Sequence, residues 1–174
     1  LWKDVTEKSP KNGRGWMNYG LTQMSKGDYG KAIELFNKAL EFNPNYSTLF
    51  INLGIANGGI GNHEKAVKNF NQAIVLDAGN DASYTFFARY YLEQNNYLKA
   101  KELAEKAIAL NSKSYMAFEI AMAAAQALGQ WNELNKLAQQ TLTFVPNDAK
   151  ALQYRTAAAK RESISTPKII TQSA

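Results

Sequence analysis

Side chains able to carry covalent or acid–base chemistry are few in this chain. His63 is the single histidine, and cysteine is absent. Thiolate nucleophiles, disulfides and cysteine-based metal sites are therefore excluded. The one imidazole has no second ligand type nearby at metal spacing. No Gly-rich phosphate loop follows a strand-like run, and Ser, His and Asp form no set with the spacing of a nucleophile and its base. Asn45-Tyr46-Ser47 matches an N-glycosylation acceptor triplet. The residues thus point to a chain that is not an enzyme, with no cofactor and no metal. What is left to act is a supply of amides and apolar side chains, which is the material of a binding surface.

Composition agrees. The chain has 174 residues, 45% of them hydrophobic, with a net charge of +5. Residues 1–46 carry 7 basic and 5 acidic groups, 47–80 carry 2 and 2, and 81–114 carry 5 and 4. Residues 115–148 carry 1 and 3, and 149–174 carry 5 and 1. The excess lies in the last segment, and no basic stripe runs along the chain, so a nucleic-acid footprint is not expected. The longest uncharged stretch, Phe42 to His63, holds five Asn, one Pro and four Gly. It is too polar for a membrane helix, so this segment does not span a bilayer. No run reads as a signal peptide, and the chain does not begin with Met, as in an excised or processed fragment.

The positioning elements follow from a repeat of 34 residues, with rows beginning at Gly13, Ser47, Asp81 and Tyr115. Column 4 is aromatic throughout: Trp16, Phe50, Tyr84 and Phe118. Column 8 reads Gly20, Gly54, Ala88 and Met122, column 20 reads Ala32, Ala66, Ala100 and Leu134, and column 27 reads Ala39, Ala73, Ala107 and Thr141. Small residues there let two helices approach, while Phe36 and Phe70 at column 24 fill the space between them. Column 15 is Gly27, Gly61, Asn95 and Gly129, residue types that tolerate the left-handed backbone ending a helix. Pro44 and Pro146 at column 32 sit between units, where they break no helix interior. Apolar residues recur at three- and four-residue steps, predicting helix A over columns 1–14 and helix B over columns 17–30. His63 falls at column 17, beside Tyr29, Tyr97 and Trp131, a packing position. Gly58 and Gly59 predict an early end to helix A of the second row, followed by a turn with Gly61. In the fourth row, Met122 and Leu134 predict a helix pair that is wider, or repacked around Ala121, Ala124 and Ala125.

These columns resemble the tetratricopeptide repeat family over residues 13–148. The resemblance implies an all-α, right-handed superhelical solenoid of antiparallel helix pairs. Its units are 13–46, 47–80, 81–114 and 115–148. Residues 1–12, with Trp2 at column 24 and Pro10 at column 32, read as half a repeat, helix B of a preceding unit. Residues 149–161, opened by Asn147 or Asp148, read as a capping helix. Residues 162–174 form a tail in which Lys168-Ile169-Ile170 is expected to dock on its own array or a neighbour's, a route to self-association.

The family's concave face implies the partner-binding residues: Arg14, Met17, Asn18, Leu21 and Met24 in the first unit, and Thr48, Ile51, Asn52 and Ile55 in the second. The third supplies Thr85, Arg89 and Leu92, and the fourth Met116 and Glu119, with Gln126 further along the same face. The partner is then a protein or peptide. Positions matching the family's carboxylate clamp are Met17, Leu21, Asn52, Ala82 and Phe86, and only Asn52 fits. The family's asparagine ladder is matched at column 6 by Asn18 and Asn52, not by Phe86 or Ile120. The opening Leu1-Trp2-Lys3-Asp4-Val5, with Ser9-Pro10 before the repeats, resembles the junction in multi-spanning membrane glycosyltransferases with C-terminal tetratricopeptide domains. That resemblance implies a membrane-associated, periplasmic or lumenal domain that positions acceptor proteins; without it a cytoplasmic scaffold is expected.

Overall fold

In the computed structural model, residues 1–161 are described, and they fold into ten α-helices with no strand among them. The calls on the 162–174 tail lie outside the described residues. Two compact units divide the chain, one covering Leu1–Ala78 and the other beginning at Gly79.

The first unit holds α1 (Trp2–Lys8), α2 (Gly13–Ser25), α3 (Tyr29–Leu40), α4 (Ser47–Gly59) and α5 (His63–Leu76). The second holds α6 (Asp81–Glu93), α7 (Tyr97–Leu110), α8 (Tyr115–Ala127), α9 (Trp131–Phe144) and α10 (Ala149–Lys160). The fold class is all-α, of the helical solenoid type, built from helix hairpins.

Short polar side chains start these helices by accepting from backbone N–H groups that have no partner in the first turn. Asn12 accepts from Gly15, Asp28 from Lys31, Asn62 from Lys65, Asn80 from Ala82, Asn96 from Lys99 and Asp148 from Ala151. At the opposite ends the backbone turns left-handed at Gly27, Gly61, Asn95 and Gly129, with φ between 58° and 79°. These four are column 15 of the repeat.

Within the first unit, each hairpin closes on a glycine facing a phenylalanine. A Cβ on Gly20 would sit 2.6 Å from the Phe36 ring, and one on Gly54 2.8 Å from the Phe70 ring. Phe36 and Phe70 are fully buried. Ala32, Ala39, Leu49, Leu53 and Ala56 complete the core around Phe36.

The second unit fills the same two columns differently. Columns 8 and 24 hold Ala88 and Ala104 in α6–α7, and Met122 and Ala138 in α8–α9; all four are buried in one cluster. The bulk that helix B supplies in the first unit is moved to helix A in α8. Ala121, Ala124 and Ala125 are fully buried around Met122. The fourth hairpin is therefore both repacked and wider, with α8 and α9 approaching each other less closely than the helices of the other three hairpins.

One local expectation is corrected. α4 does not end early at the Gly58-Gly59 pair but runs through Gly59. The reason is contact: a Cβ on Gly59 would lie 2.8 Å from the Tyr29 ring. Glycine there admits the aromatic of the preceding hairpin, and the turn falls to Gly61 alone.

Candidate binding surface

In the first unit, Met17, Leu21 and Met24 follow one another at four- and three-residue steps along α2, placing them on one face. All three are half-buried and packed against the Phe36 core. They belong to both the core and the surface. Asn18 is also half-buried. Arg14, one turn before it, is exposed.

On α4, Thr48, Asn52 and Ile55 lie on one face by the same spacing. Thr48 and Ile55 are half-buried, whereas Ile51 is buried and serves as wall, not as free surface. Asn52 is only 7% exposed. Its amide nitrogen Nδ2 is buried with no hydrogen-bond partner among the described residues. Buried amides are nearly always satisfied; Asn57, one turn and a half further on, donates to the Leu53 carbonyl at 2.8 Å. Asn52 thus carries a buried amide donor without a described partner, at the same column as Asn18. At the start of α2 and α4, a cleft of about 330 Å³ is lined by Gly13, Arg14, Met17, Asn43, Tyr46 and Leu49.

In the second unit the expected residues are more engaged. Thr85 is buried, and its hydroxyl donates to the Asp81 carbonyl at 2.9 Å, so it offers no free donor. Arg89 Nε donates to Glu93 at 3.2 Å on the α6 surface. Leu92 packs against the core, while Met116 is exposed. Glu119 accepts from Lys150 of α10.

Glu119 also lies beside two phenols. Tyr115 donates its hydroxyl to Asp148 at 2.7 Å. Burial first, then that bond and the nearby Glu119, push the Tyr115 hydroxyl well above its ordinary range. Burial, then Glu119, also raises Tyr154 of α10. Both phenols therefore stay neutral donors at any physiological pH. Asp148 spans both roles, accepting from Tyr115 through one oxygen and capping α10 through the other.

The sequence places Gln126 on this face but does not show its burial, and Tyr154 lies outside the expected set altogether. Gln126 is 7% exposed, and its Nε2 is buried without a partner among the described residues. It lies seven residues from Glu119, two turns along the same face of α8. Tyr154 falls at column 6 once the repeat register is carried into α10, the column of Asn18 and Asn52, so the signal was in the period itself. Asn43 and Tyr46 come from the α3–α4 loop, which no helical periodicity selects. A larger cleft, about 500 Å³, is lined by Lys101, Gly129, Gln130, Trp131, Asn132, Glu133 and Arg161 and includes none of the expected residues. Among the described residues, no group of three or more His, Asp or Glu is placed to hold a metal ion, and no helix is long and apolar enough to cross a membrane.

Comparison with known proteins places this geometry. Tetratricopeptide repeat models match residues 13–46, 47–80 and 82–114, together more than half of the chain. Among curated proteins, none matches the sequence. Solved structures do. The pilF protein of Pseudomonas aeruginosa is 16% identical with a TM-score of 0.75, over 86% of this chain and 68% of that one. YrrB, described as a tetratricopeptide protein with an unusual peptide-binding site, is 16% identical with a TM-score of 0.68, over 92% and 84%. The first such domain of Spaghetti (RPAP3), bound to an HSP90 peptide, is 21% identical with a TM-score of 0.59, over 67% and 94%. At these identities the likeness is one of fold. With three matched repeats, hairpins closed on small residues and left-handed column-15 turns, the chain belongs to the tetratricopeptide repeat family.

Proposed function

We propose that this chain is a non-catalytic scaffold that holds a protein partner as an extended peptide, with the α2–α4 face of the first unit as the main anchor. The repeats support a protein-interaction role in general. The observation that carries the finer reading is Asn52. An amide N–H buried without a partner costs about 1–3 kcal/mol, and a peptide carbonyl delivered to Nδ2 removes that cost. The half-buried Asn18 on α2 supplies a second rung, and Met17, Leu21, Met24, Thr48 and Ile55 supply an adaptable, largely apolar floor. In the second unit, Met116 is the exposed member of the expected set, for contacts of its own.

The test is amide NMR with peptides selected on the intact chain from a random display library. The Asn52 side-chain N–H₂ resonances should shift on peptide addition, and Asn52→Ala should weaken binding roughly fivefold, the worth of one neutral hydrogen bond. Resonances that stay in place, with affinity unchanged in the variant, would remove Asn52 as the anchor. The alternative, a C-terminal periplasmic or lumenal domain of a membrane glycosyltransferase-like protein, uses the same face on acceptor proteins. It is motivated by the first ten residues alone, and none of the relatives described above lends it support.

A further inference from the structure

The α2–α4 face also carries a feature that a backbone-holding reading leaves unused: the cleft at the start of α2 and α4, one turn before Asn52 along α4. Its floor is fixed by close packing, since a Cβ on Gly13 would fall 2.1 Å from the Asn43 amide nitrogen. Half-buried Met17 gives it an apolar wall, backed by Leu49, which is itself fully buried. Asn43 and Tyr46, both exposed, bring an amide and a hydroxyl. Arg14 is the one charged side chain among the described residues lining it, and no carboxylate lies among them. At about 330 Å³ the cleft is at the small end for ligand pockets, room for one long side chain.

We infer that this cleft reads a glutamate side chain of the bound peptide, with the two methylenes against Met17 and the carboxylate at Arg14. The inference rests on the peptide-holding reading of this face and adds a sequence preference to it. Charge complementarity selects the anion: an unopposed guanidinium repels a basic side chain and gains little from a neutral one. The choice of a side chain over a chain terminus follows from the donor count. Arg14 is a single cation, whereas a terminal carboxylate would also bring the partner's chain to an end in the cleft, away from Asn52. The spacing along α4 suits a passing chain. Leu49 and Asn52 are three residues apart, a rise of about 4.5 Å. An extended peptide advances about 3.3 Å per residue. The glutamate therefore falls one or two residues from the carbonyl that Asn52 holds.

The experiment uses the full chain and four capped probes: acetyl-Leu-Glu-Leu-amide, its Gln and Lys counterparts, and acetyl-Leu-Gln-Leu with a free C-terminal carboxylate. Binding is read from the NMR shifts of the Arg14 Nε–H and the Tyr46 ring. The Glu peptide should bind about fivefold tighter than the Gln peptide, as for a partly exposed charge pair. Arg14→Glu, on an exposed side chain that leaves the fold intact, should invert the preference to Lys, and Arg14→Lys should retain it. Equal affinity for Glu and Gln, or the same ranking in Arg14→Glu, overturns the proposal. Tightest binding by the free-acid probe overturns it in favour of a chain terminus. Asn52→Ala separates the two readings. If it leaves affinity unchanged while Arg14→Glu still inverts the ranking, the backbone anchor fails and the glutamate site stands.

Discussion

The ring of Phe70 lies so close to the Cα of Gly54 that three of its carbons would fall within 2.9 Å of a Cβ added there. Gly20 meets the Phe36 ring in the same way, at 2.6 Å. Alanine in a helix interior is favoured over glycine by about 1 kcal/mol, but forcing a methyl into a filled core costs about 1–3 kcal/mol. Both rings are fully buried and have nowhere to retreat, so the contact wins. Gly54→Ala and Gly20→Ala should each lower stability, by up to about 2 kcal/mol in urea unfolding once the helix-propensity gain is subtracted. Gly30→Ala is the control. That residue is exposed in α3 with nothing within 4 Å of its added Cβ, so it should gain about 0.5 kcal/mol.

Removing the ring should cost more than crowding it. Phe70→Ala is expected to lose about 3–5 kcal/mol, with the cavity facing a glycine that cannot fill it. Because repeat arrays are stabilised by neighbour coupling, hydrogen exchange should rise first in α4 and α5. A melting temperature within error of the parent would show that the ring is not buried there.

The phenols of the second unit give a signed pH dependence. Burial raises Tyr90, Tyr115 and Tyr154 above the ordinary value near 10. A raised folded-state pKa contributes stability that is complete below the unfolded value and is lost as pH climbs toward the folded one. Thermal stability should therefore be level through neutral pH, as far as these groups are concerned, and fall above about pH 10. Phenolate absorbance should show Tyr90, Tyr115 and Tyr154 titrating late. Tyr115→Phe should reduce the alkaline loss and, by deleting the bond to Asp148, cost about 1 kcal/mol at neutral pH. An alkaline slope unchanged in that variant would show that Tyr115 does not drive it.

Gln126 separates binding from stability. Its Nε2 is buried and unpartnered among the described residues, so Gln126→Met, of similar size, sheds a desolvation cost and should leave stability equal or raise it by about 1 kcal/mol. A clear loss in melting temperature would mean that the amide is satisfied in solution, for instance by an ordered water.

How much of this was legible in the sequence depended on whether a feature repeats. Gly20 with Phe36 and Gly54 with Phe70 recur at fixed columns, so their close approach could be read from the period. So could the left-handed turns at Gly27, Gly61, Asn95 and Gly129. Gly59 does not recur, and its partner Tyr29 comes from the preceding hairpin, so the pair looked like a helix breaker. The candidate surface was legible as a set of columns, but columns carry no information about burial. They could not show that Ile51 and Thr85 are closed off, or that the amides of Asn52 and Gln126 are left without partners. Asn43 and Tyr46 lie in a loop, where spacing selects nothing.

The exchange of bulk between the two facing columns sets a rule for recombination. In α2–α3 and α4–α5 the large side chain is on the second helix; in α8–α9, Met122 is on the first and Ala138 on the second. Hairpins trade more readily than single helices, because each carries both halves of this fit, although Gly59 against Tyr29 ties the first two to each other. Single helices carry only one half: α2 joined to α9 would set glycine against alanine and leave a void, and α8 joined to α3 would set methionine against phenylalanine. The unit of inheritance in this array is therefore the hairpin, and a crossover within one is penalised even though the 34-residue frame is kept.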